Sequence, residues 1–380
     1  MTGTRAEGQP TAAPAVARKL LDKNILPLWS LALPVLGVLA IIISLGKLGG
    51  VGVALAAVIL MGAVLAAVHH AEVVAHRVGE PFGTLVLAVA VTVIEVSLIV
   101  SLMTSGGGDA ATLARDTVFA AIMIILNGIV GICLLLGGVR HHEQVFALKG
   151  VSAALCVLAA MAVLSLILPN YTLSAPGPFF TASQLIFTAV VSLTLYATFV
   201  LIQTVRHRDY FLPADIDGVD EDTHAEPPTV AQAWLAFAVL VAALVSVVLL
   251  AKQLAPTLER AVLSAGLPLA LVGVAIAALV LAPESLAAVR AARRNRLQTS
   301  LNLALGSALA TIGLTIPTVA IASLVLDLPI ALGIGPKSMT LLGLSLIVSV
   351  LSLGTGRTTV LQGMVHLLIF ATYLFVTVVP

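Results

Sequence analysis

Apolar runs of about twenty residues punctuate this chain, and they set the solvent in which it folds. Phe82 to Met103 is a block of 22 residues whose single charged side chain is Glu95. At 1.5 Å of rise per residue such a run crosses the ~30 Å hydrocarbon core of a bilayer. Similar runs recur along the chain. The composition agrees: 60% of the 380 residues are hydrophobic and 10% charged, and the mean hydropathy is +1.13. A water-soluble domain carries about 25% charged residues. The runs are continuous rather than alternating, which argues against a transmembrane β-barrel. The expected fold class is an all-α polytopic membrane protein, with the lipid bilayer as its main partner.

Eleven spans are predicted, at roughly 27–45, 49–69, 82–104, 117–138, 150–168, 180–204, 233–251, 265–288, 299–324, 338–353 and 359–379. Gly, Pro and charged residues separate them. With the amino terminus in the cytoplasm, 14 of the 19 Lys and Arg residues fall on the cytoplasmic side, among them Arg140, Arg206, Arg293, Arg294, Arg296 and Arg357. This is the bias expected of cytoplasmic loops. The other side keeps Lys47, Arg115, Lys252, Arg260 and Lys337. The first 26 residues are polar and no cleavable signal peptide is expected. Cys133 and Cys156 both lie in apolar runs, so no disulfide is expected. A net charge of +1 implies no nucleic-acid partner.

The segment from His207 to Pro228 holds seven of the 18 acidic residues. It reads as a solvated cytoplasmic linker, or as a weak cation collector without EF-hand spacing. The predicted organisation is a cytoplasmic tail (1–26), an extra transmembrane helix (27–45), a first five-helix repeat (46–204), the acidic linker (205–232) and a second five-helix repeat (233–380).

Glu95 has a counterpart. Glu284, in LVLAPESLAAV, is the only charged residue between Arg260 and Arg290. The predicted spans carrying the two acids run in opposite directions, so the two five-helix halves would form an inverted repeat, with binding at the midplane between them. An ionised carboxylate in hydrocarbon costs several kcal/mol (roughly). Neither acid has a basic residue three or four positions away. Each is therefore protonated, or paired with something outside its own helix, and a metal cation or a proton would serve. A permanently protonated structural role remains open for Glu95, and an interfacial role for Glu284. Pro283 removes a backbone donor and is expected to break the helix beside Glu284. Two such acids suit one calcium ion or two protons. A site that holds either set but not both is an exchanger.

At this point the residues resemble a known family. The segment AEVVAHRVGEPFGTLVLAVAVTVIEVSLI resembles the first signature repeat of the calcium/proton antiporters in the calcium:cation exchanger superfamily. LAPESLAAVRAARRNRLQTSLNLALGSALATIGLTIP resembles the second, and GTGRTTVLQGMVHLLIFATYL resembles the family's last helix. The likeness is closest to the bacterial branch that handles calcium and also sodium or potassium. It implies a ten-helix core of two inverted halves plus an extra N-terminal helix. It implies that Glu95 and Glu284 are the paired acids that bind metal cation and proton, with Asn127 and Ser307 as polar positions on the next helix of each half. Thr92 stands where the family usually has asparagine. Thr311 follows Ala310, which stands where the family has glutamine. Val91-Thr92 and Val280-Leu281 replace the usual Gly-Asn pairs. Fewer side-chain oxygens remain, which leaves room for monovalent cations.

The resemblance implies a secondary active transporter in a bacterial inner membrane, exchanging cytoplasmic calcium, with sodium or potassium as further cargo, for external protons by alternating access. The rival readings are a monovalent cation/proton antiporter with little calcium transport, and an uncoupled cation channel. No cofactor and no enzymatic activity are expected. His69, His70, Glu72 and His76 cluster at one end of the second span, without the HExxH order of a metalloprotease. They read as an interfacial group or a pH-sensing gate. His366 reads as a helix-packing hydrogen bond or a proton relay. Gly128, Gly131, Gly137 and Gly138 read as close helix contacts.

Overall fold

Each of the eleven apolar runs lies on a helix, because a chain in hydrocarbon must satisfy its backbone internally. The computed structural model describes residues 25–44, 49–79, 82–104, 110–212 and 228–379. Residues 1–24 of the expected tail, Lys47 and most of the acidic linker (213–227) lie outside the described residues. The helices are α1 Leu28–Ile42, α2 Gly49–Val78, α3 Phe82–Met103, α4 Ala110–Met123, α5 Val130–His141, α6 Leu148–Ala162, α7 Ala182–Leu201, α8 Val230–Ser264, α9 Ala270–Arg293, α10 Leu297–Ala310, α11 Ile316–Leu326, α12 Pro336–Leu353 and α13 Val360–Val378. Short π-helical segments interrupt or extend four of the spans: π1 Ile124–Ile129 joins α4 to α5, π2 Val163–Ile167 follows α6, π3 Ile202–Arg206 follows α7, and π4 Thr311–Thr315 joins α10 to α11. Among the described residues nine continuous helical segments are long and apolar enough to cross a membrane, and Leu28–Ile42 and Leu85–Ser101 are shorter apolar helices. The protein is a multi-pass membrane protein.

Several helices outrun the predicted spans. α2 continues from 69 to Val78, α8 from 251 to Ser264, and α4 begins at Ala110 instead of 117. Arg115, Lys252 and Arg260 therefore sit on helices rather than in loops. Hydropathy registers the hydrocarbon thickness, whereas a helix persists until a residue stops it. Gly79 (φ +75°) ends α2 and Gly266 (φ +71°) follows α8, as left-handed glycines do at helix C-termini.

The helices meet through small residues. α2 packs lengthwise on α8, with α1 laid against both, and Ala56, Ala63, Ala67, Ala236 and Ala243 are buried there. Lipid offers no hydrophobic drive between helices, so close van der Waals contact must hold them. Larger apolar side chains such as Val58, Phe187, Val245 and Leu351 point outward. The two interrupted helices, α4–π1–α5 and α10–π4–α11, are the most enclosed. Contacts recur between them: α7 packs on π4 and α11, and α13 packs on π1 and α5.

One end of the bundle gathers the basic residues. There β1 Gln144–Val145 pairs antiparallel with β2 Arg357–Thr358, a two-residue ribbon that the all-α reading did not foresee. Gly356, the residue before β2, takes φ +72° in the bend that leads from α12 into the ribbon. At the same end, Gln144 donates from Nε2 to the Ala292 carbonyl at 3.1 Å and to Asn295 Oδ1 at 3.0 Å. The opposite end is clamped by Arg115, whose Nη1 donates to the Gly333 carbonyl at 2.6 Å.

The histidine cluster anchors α1. His69 Nε2 lies 3.0 Å from the Ile25 carbonyl and His70 Nε2 lies 3.1 Å from the Ser30 carbonyl. Among the described residues no group of three or more His, Cys, Asp or Glu side chains converges as a metal site requires. Replacing His69 and His70 together by leucine is expected to loosen α1, at about 1 kcal/mol per lost hydrogen bond. Limited proteolysis should then cut near residue 25 sooner, while cation transport persists.

Candidate cation site

Glu95 stands 13 residues after Phe82 on α3, about 20 Å along the helix. It is 3% exposed. Its Oε2 accepts a hydrogen bond from Thr315 Oγ1 at 2.9 Å, and the Thr311 hydroxyl lies close to the same carboxylate. Both threonines belong to π4, so the first half of the chain supplies the acid and the second half the hydroxyls beside it. A π-turn inserts one residue into the helix and widens it locally, a distortion frequent at functional sites. Thr311 and Thr315 are four residues apart and share a face.

Glu284 enters from α9. Its carboxylate comes within electrostatic range of that of Glu95. Its Oε2 is buried without a hydrogen-bond partner. The side chain lines a cavity of about 450 Å³ walled by α3, α7 and α10, with Ser307, Gln203 and Asn302 among the polar lining residues. The cavity reaches from Glu284 to π3 and the start of α10, at the basic end. Glu72 of α2 lies within electrostatic range of Glu284 and of His69 and Arg290.

Pro283 does not break its helix. α9 is continuous from Ala270 to Arg293. Proline removes a single donor, and the cost is tolerated where neighbouring helices enclose the turn. The interruptions lie instead on the next helix of each half, at π1 and π4.

The remaining predicted residues are placed as follows. Ser307 is half-buried and lines the cavity with Glu284. Asn127 is fully buried in π1; its Nδ2 donates to Ser345 Oγ at 2.8 Å, and its Oδ1 has no hydrogen-bond partner. Its bond thus runs to α12 rather than to either glutamate. Thr92 is buried one turn before Glu95, with its hydroxyl donated back to the Ala88 carbonyl at 2.8 Å. Only the oxygen lone pairs of Thr92 remain for a ligand. The fold therefore groups Glu95, Glu284 and Thr311, sets Ser307 beside the cavity, and adds Thr315, which was absent from the predicted set. Its spacing from Thr311 was the available signal.

Chemically this is an oxygen site with two carboxylates and few other fixed charges. Hard cations bind such donors: calcium takes six to eight oxygens, water included. A carboxylate with one oxygen unpartnered can also take a proton.

The sequence matches the sodium/calcium exchanger protein family over residues 48–205 and again over 235–379. The chain belongs to that family. This exchanger-family chain is 49% identical over 362 residues to y4hA of Sinorhizobium fredii, named as an ionic transporter, covering 93% of this chain and 97% of that protein. It is 38% identical over 323 residues to the sodium-potassium/proton antiporter ChaA of Escherichia coli, covering 84% and 87%. Its fold resembles that of native YfkE with a TM-score of 0.70 at 16% identity, over 92% of this chain and 98% of the other. It also resembles the H+/Ca2+ exchanger CAX with a TM-score of 0.66 at 15% identity, over 91% and 87%.

Proposed function

We propose that this protein is a cation/proton antiporter that exports calcium from the cytoplasm, with sodium or potassium as further cargo, in exchange for external protons. The observation that carries the reading is the pair of buried glutamates, one hydrogen-bonded by Thr315 from the other half of the chain and one facing a cavity. Two ionised carboxylates balance a divalent cation, and two protons neutralise them when it leaves. Relatives named as antiporters support the coupling. The branch that exchanges sodium or potassium for protons is favoured as a second cargo class by Val91, Val280, Leu281 and Ala310, which supply no side-chain oxygen.

In this proposal Glu95, Glu284, Ser307, Thr311, Asn127 and Thr92 hold cation or proton in turn. Residues 46–204 and 233–380 are inverted repeats, a layout supported by the double family match. The basic end faces the cytoplasm of a bacterial inner membrane, so the cavity is the cytoplasmic vestibule. Net inward charge is then driven by about 2.3 kcal/mol per 100 mV. Alternating access comes from the movement of helices against the two π-interrupted spans.

The test is exchange in everted vesicles with calcium, sodium and potassium in turn, across pH. An imposed pH difference is expected to drive at least one of these cations against its own gradient. Cation flow that only follows its gradient, with no proton movement, would make the protein a channel. A finer prediction concerns Thr315→Val, which leaves Glu95 Oε2 without this donor. Losing the partner of a buried acceptor costs about 1–3 kcal/mol, so the apparent cation affinity is expected to fall roughly fivefold to a hundredfold. Thr315→Ser should keep most of it.

A further inference from the structure

The cavity beside Glu284 is larger and more apolar than a metal ion alone requires. Its volume of about 450 Å³ is that of a small-molecule site, which typically spans about 300–1,000 Å³. Its walls are mostly hydrocarbon: Leu85 and Val91 come from α3, Val200 from α7 and Leu303 from α10. Calcium is held by six to eight oxygens, water included, and aliphatic walls offer it none. Among the described lining residues Glu284 is the one charged side chain.

Two aromatic side chains of α7, Tyr196 and Phe199, complete the wall and are buried there. Both are held in place. The Phe199 ring meets that of Phe211 edge-on, with centroids 5.7 Å apart. Phe211 is fixed in turn, because Asn302 donates from Nδ2 to its carbonyl at 2.6 Å. Asn302 Oδ1 accepts from Gln298 Nε2 at 2.8 Å, so this amide is engaged in bracing the wall. Tyr196 is seated on π4, where a Cβ at Gly313 would stand 2.5 Å from the Tyr196 Cβ. Aromatic faces attract cations, most strongly where water is excluded.

Gly306 keeps the cavity wide. It lies inside α10 and lines the cavity. A Cβ there would meet nothing within 4 Å, so no close helix contact requires glycine, and its φ is not positive. Glycine in a helix interior is unfavourable relative to alanine. What the missing side chain leaves is room beside Glu284.

We infer that this cavity binds a monovalent organic cation, an alkylammonium ion whose charge rests against Glu284 and whose hydrocarbon lies along Phe199, Tyr196 and the aliphatic walls. The bound ion engages Glu284 and so excludes a metal cation from it. This competition rests on the reading of Glu284 as a cation ligand given above; the binding itself does not.

The experiment uses the purified full chain in detergent at alkaline pH, which favours an ionised carboxylate. The probe is butyltrimethylammonium, whose fixed charge carries no proton, titrated by calorimetry. Saturable binding is expected, and calcium should displace it. Glu284→Gln is expected to weaken it about thirtyfold or more, on the scale of a broken buried charge pair. Phe199→Leu should weaken it about fivefold to thirtyfold, the scale of a desolvated cation–π contact. Gly306→Leu, which fills the cavity, should weaken it about fivefold or more and spare the binding of radioactive calcium; Phe199→Leu carries the test if this variant folds poorly. No saturable binding by the wild type, equal binding of 1-hexanol (similar hydrocarbon without the charge), or unchanged binding by Glu284→Gln would overturn the site. Failure of calcium to displace the probe would overturn the competition. Calcium movement driven by a pH difference is measured in vesicles alongside. A protein that moves calcium in this way but does not bind the probe overturns this inference alone. One that binds the probe but moves no cation against its gradient overturns the antiport reading alone.

Discussion

Cation-for-proton exchange is expected to stop when either buried acid is replaced by its amide, Glu95→Gln or Glu284→Gln, while the protein still folds. Glutamine keeps the shape, and its carbonyl can still accept the Thr315 hydrogen bond made to Glu95. What it loses is the charge that balances the cation and the site that takes the proton. Removing one partner of a buried charge pair costs about 2–5 kcal/mol, which is roughly thirtyfold to several thousandfold in affinity. The two variants should differ in detail. Glu284 lines the cavity, so Glu284→Gln weakens capture of a cation arriving from the basic end. Glu95 is sealed against π4, so Glu95→Gln leaves capture less affected and blocks passage through the closed state. In the wild type, capture itself should weaken as pH falls, because protons and cation compete for the same carboxylates. Everted-vesicle exchange with gel filtration as the folding control measures all of this. Exchange at the wild-type rate by either variant would remove that glutamate from the site.

These acids were legible because charge inside an apolar run is rare and expensive, and a single helix suffices to show it. The helices themselves followed from run length, and their ends did not, because a helix outlasts the hydrocarbon until a residue such as Gly79 or Gly266 stops it. The partners were harder to read. Thr315 meets Glu95 across 220 residues of sequence, and Asn127 meets Ser345 across 218. Periodicity within one helix says nothing about such pairs. The π-turns had no sequence mark either, and Pro283 pointed to the wrong helix for the interruption.

Gly363→Ala is expected to destabilise the protein strongly, although it adds one methyl group and improves helix propensity. α13 crosses α5 at this point with no side chain between the backbones. A Cβ at 363 would lie 2.5 Å from the Leu135 nitrogen, 2.9 Å from its Cα and 3.0 Å from the Gly131 carbonyl. Backbone atoms cannot rotate away as a flexible side chain does, so the helices must separate. Gly131 faces the same crossing, where a Cβ would stand 3.0 Å from that of His366. In a bilayer such close contact is the main attraction between helices, so separation forfeits it along the whole interface. Overpacking costs about 1–3 kcal/mol, occasionally more, and a backbone obstacle places this case near the upper figure. Gly343→Ala is the matched control. It lies inside α12 with nothing within 4 Å of the added Cβ, and helix propensity alone would then stabilise it by about 1 kcal/mol or less. Thermal unfolding of the two variants in detergent should therefore move in opposite directions from the wild type. Equal melting temperatures for both would mean that α5 and α13 do not touch through their backbones.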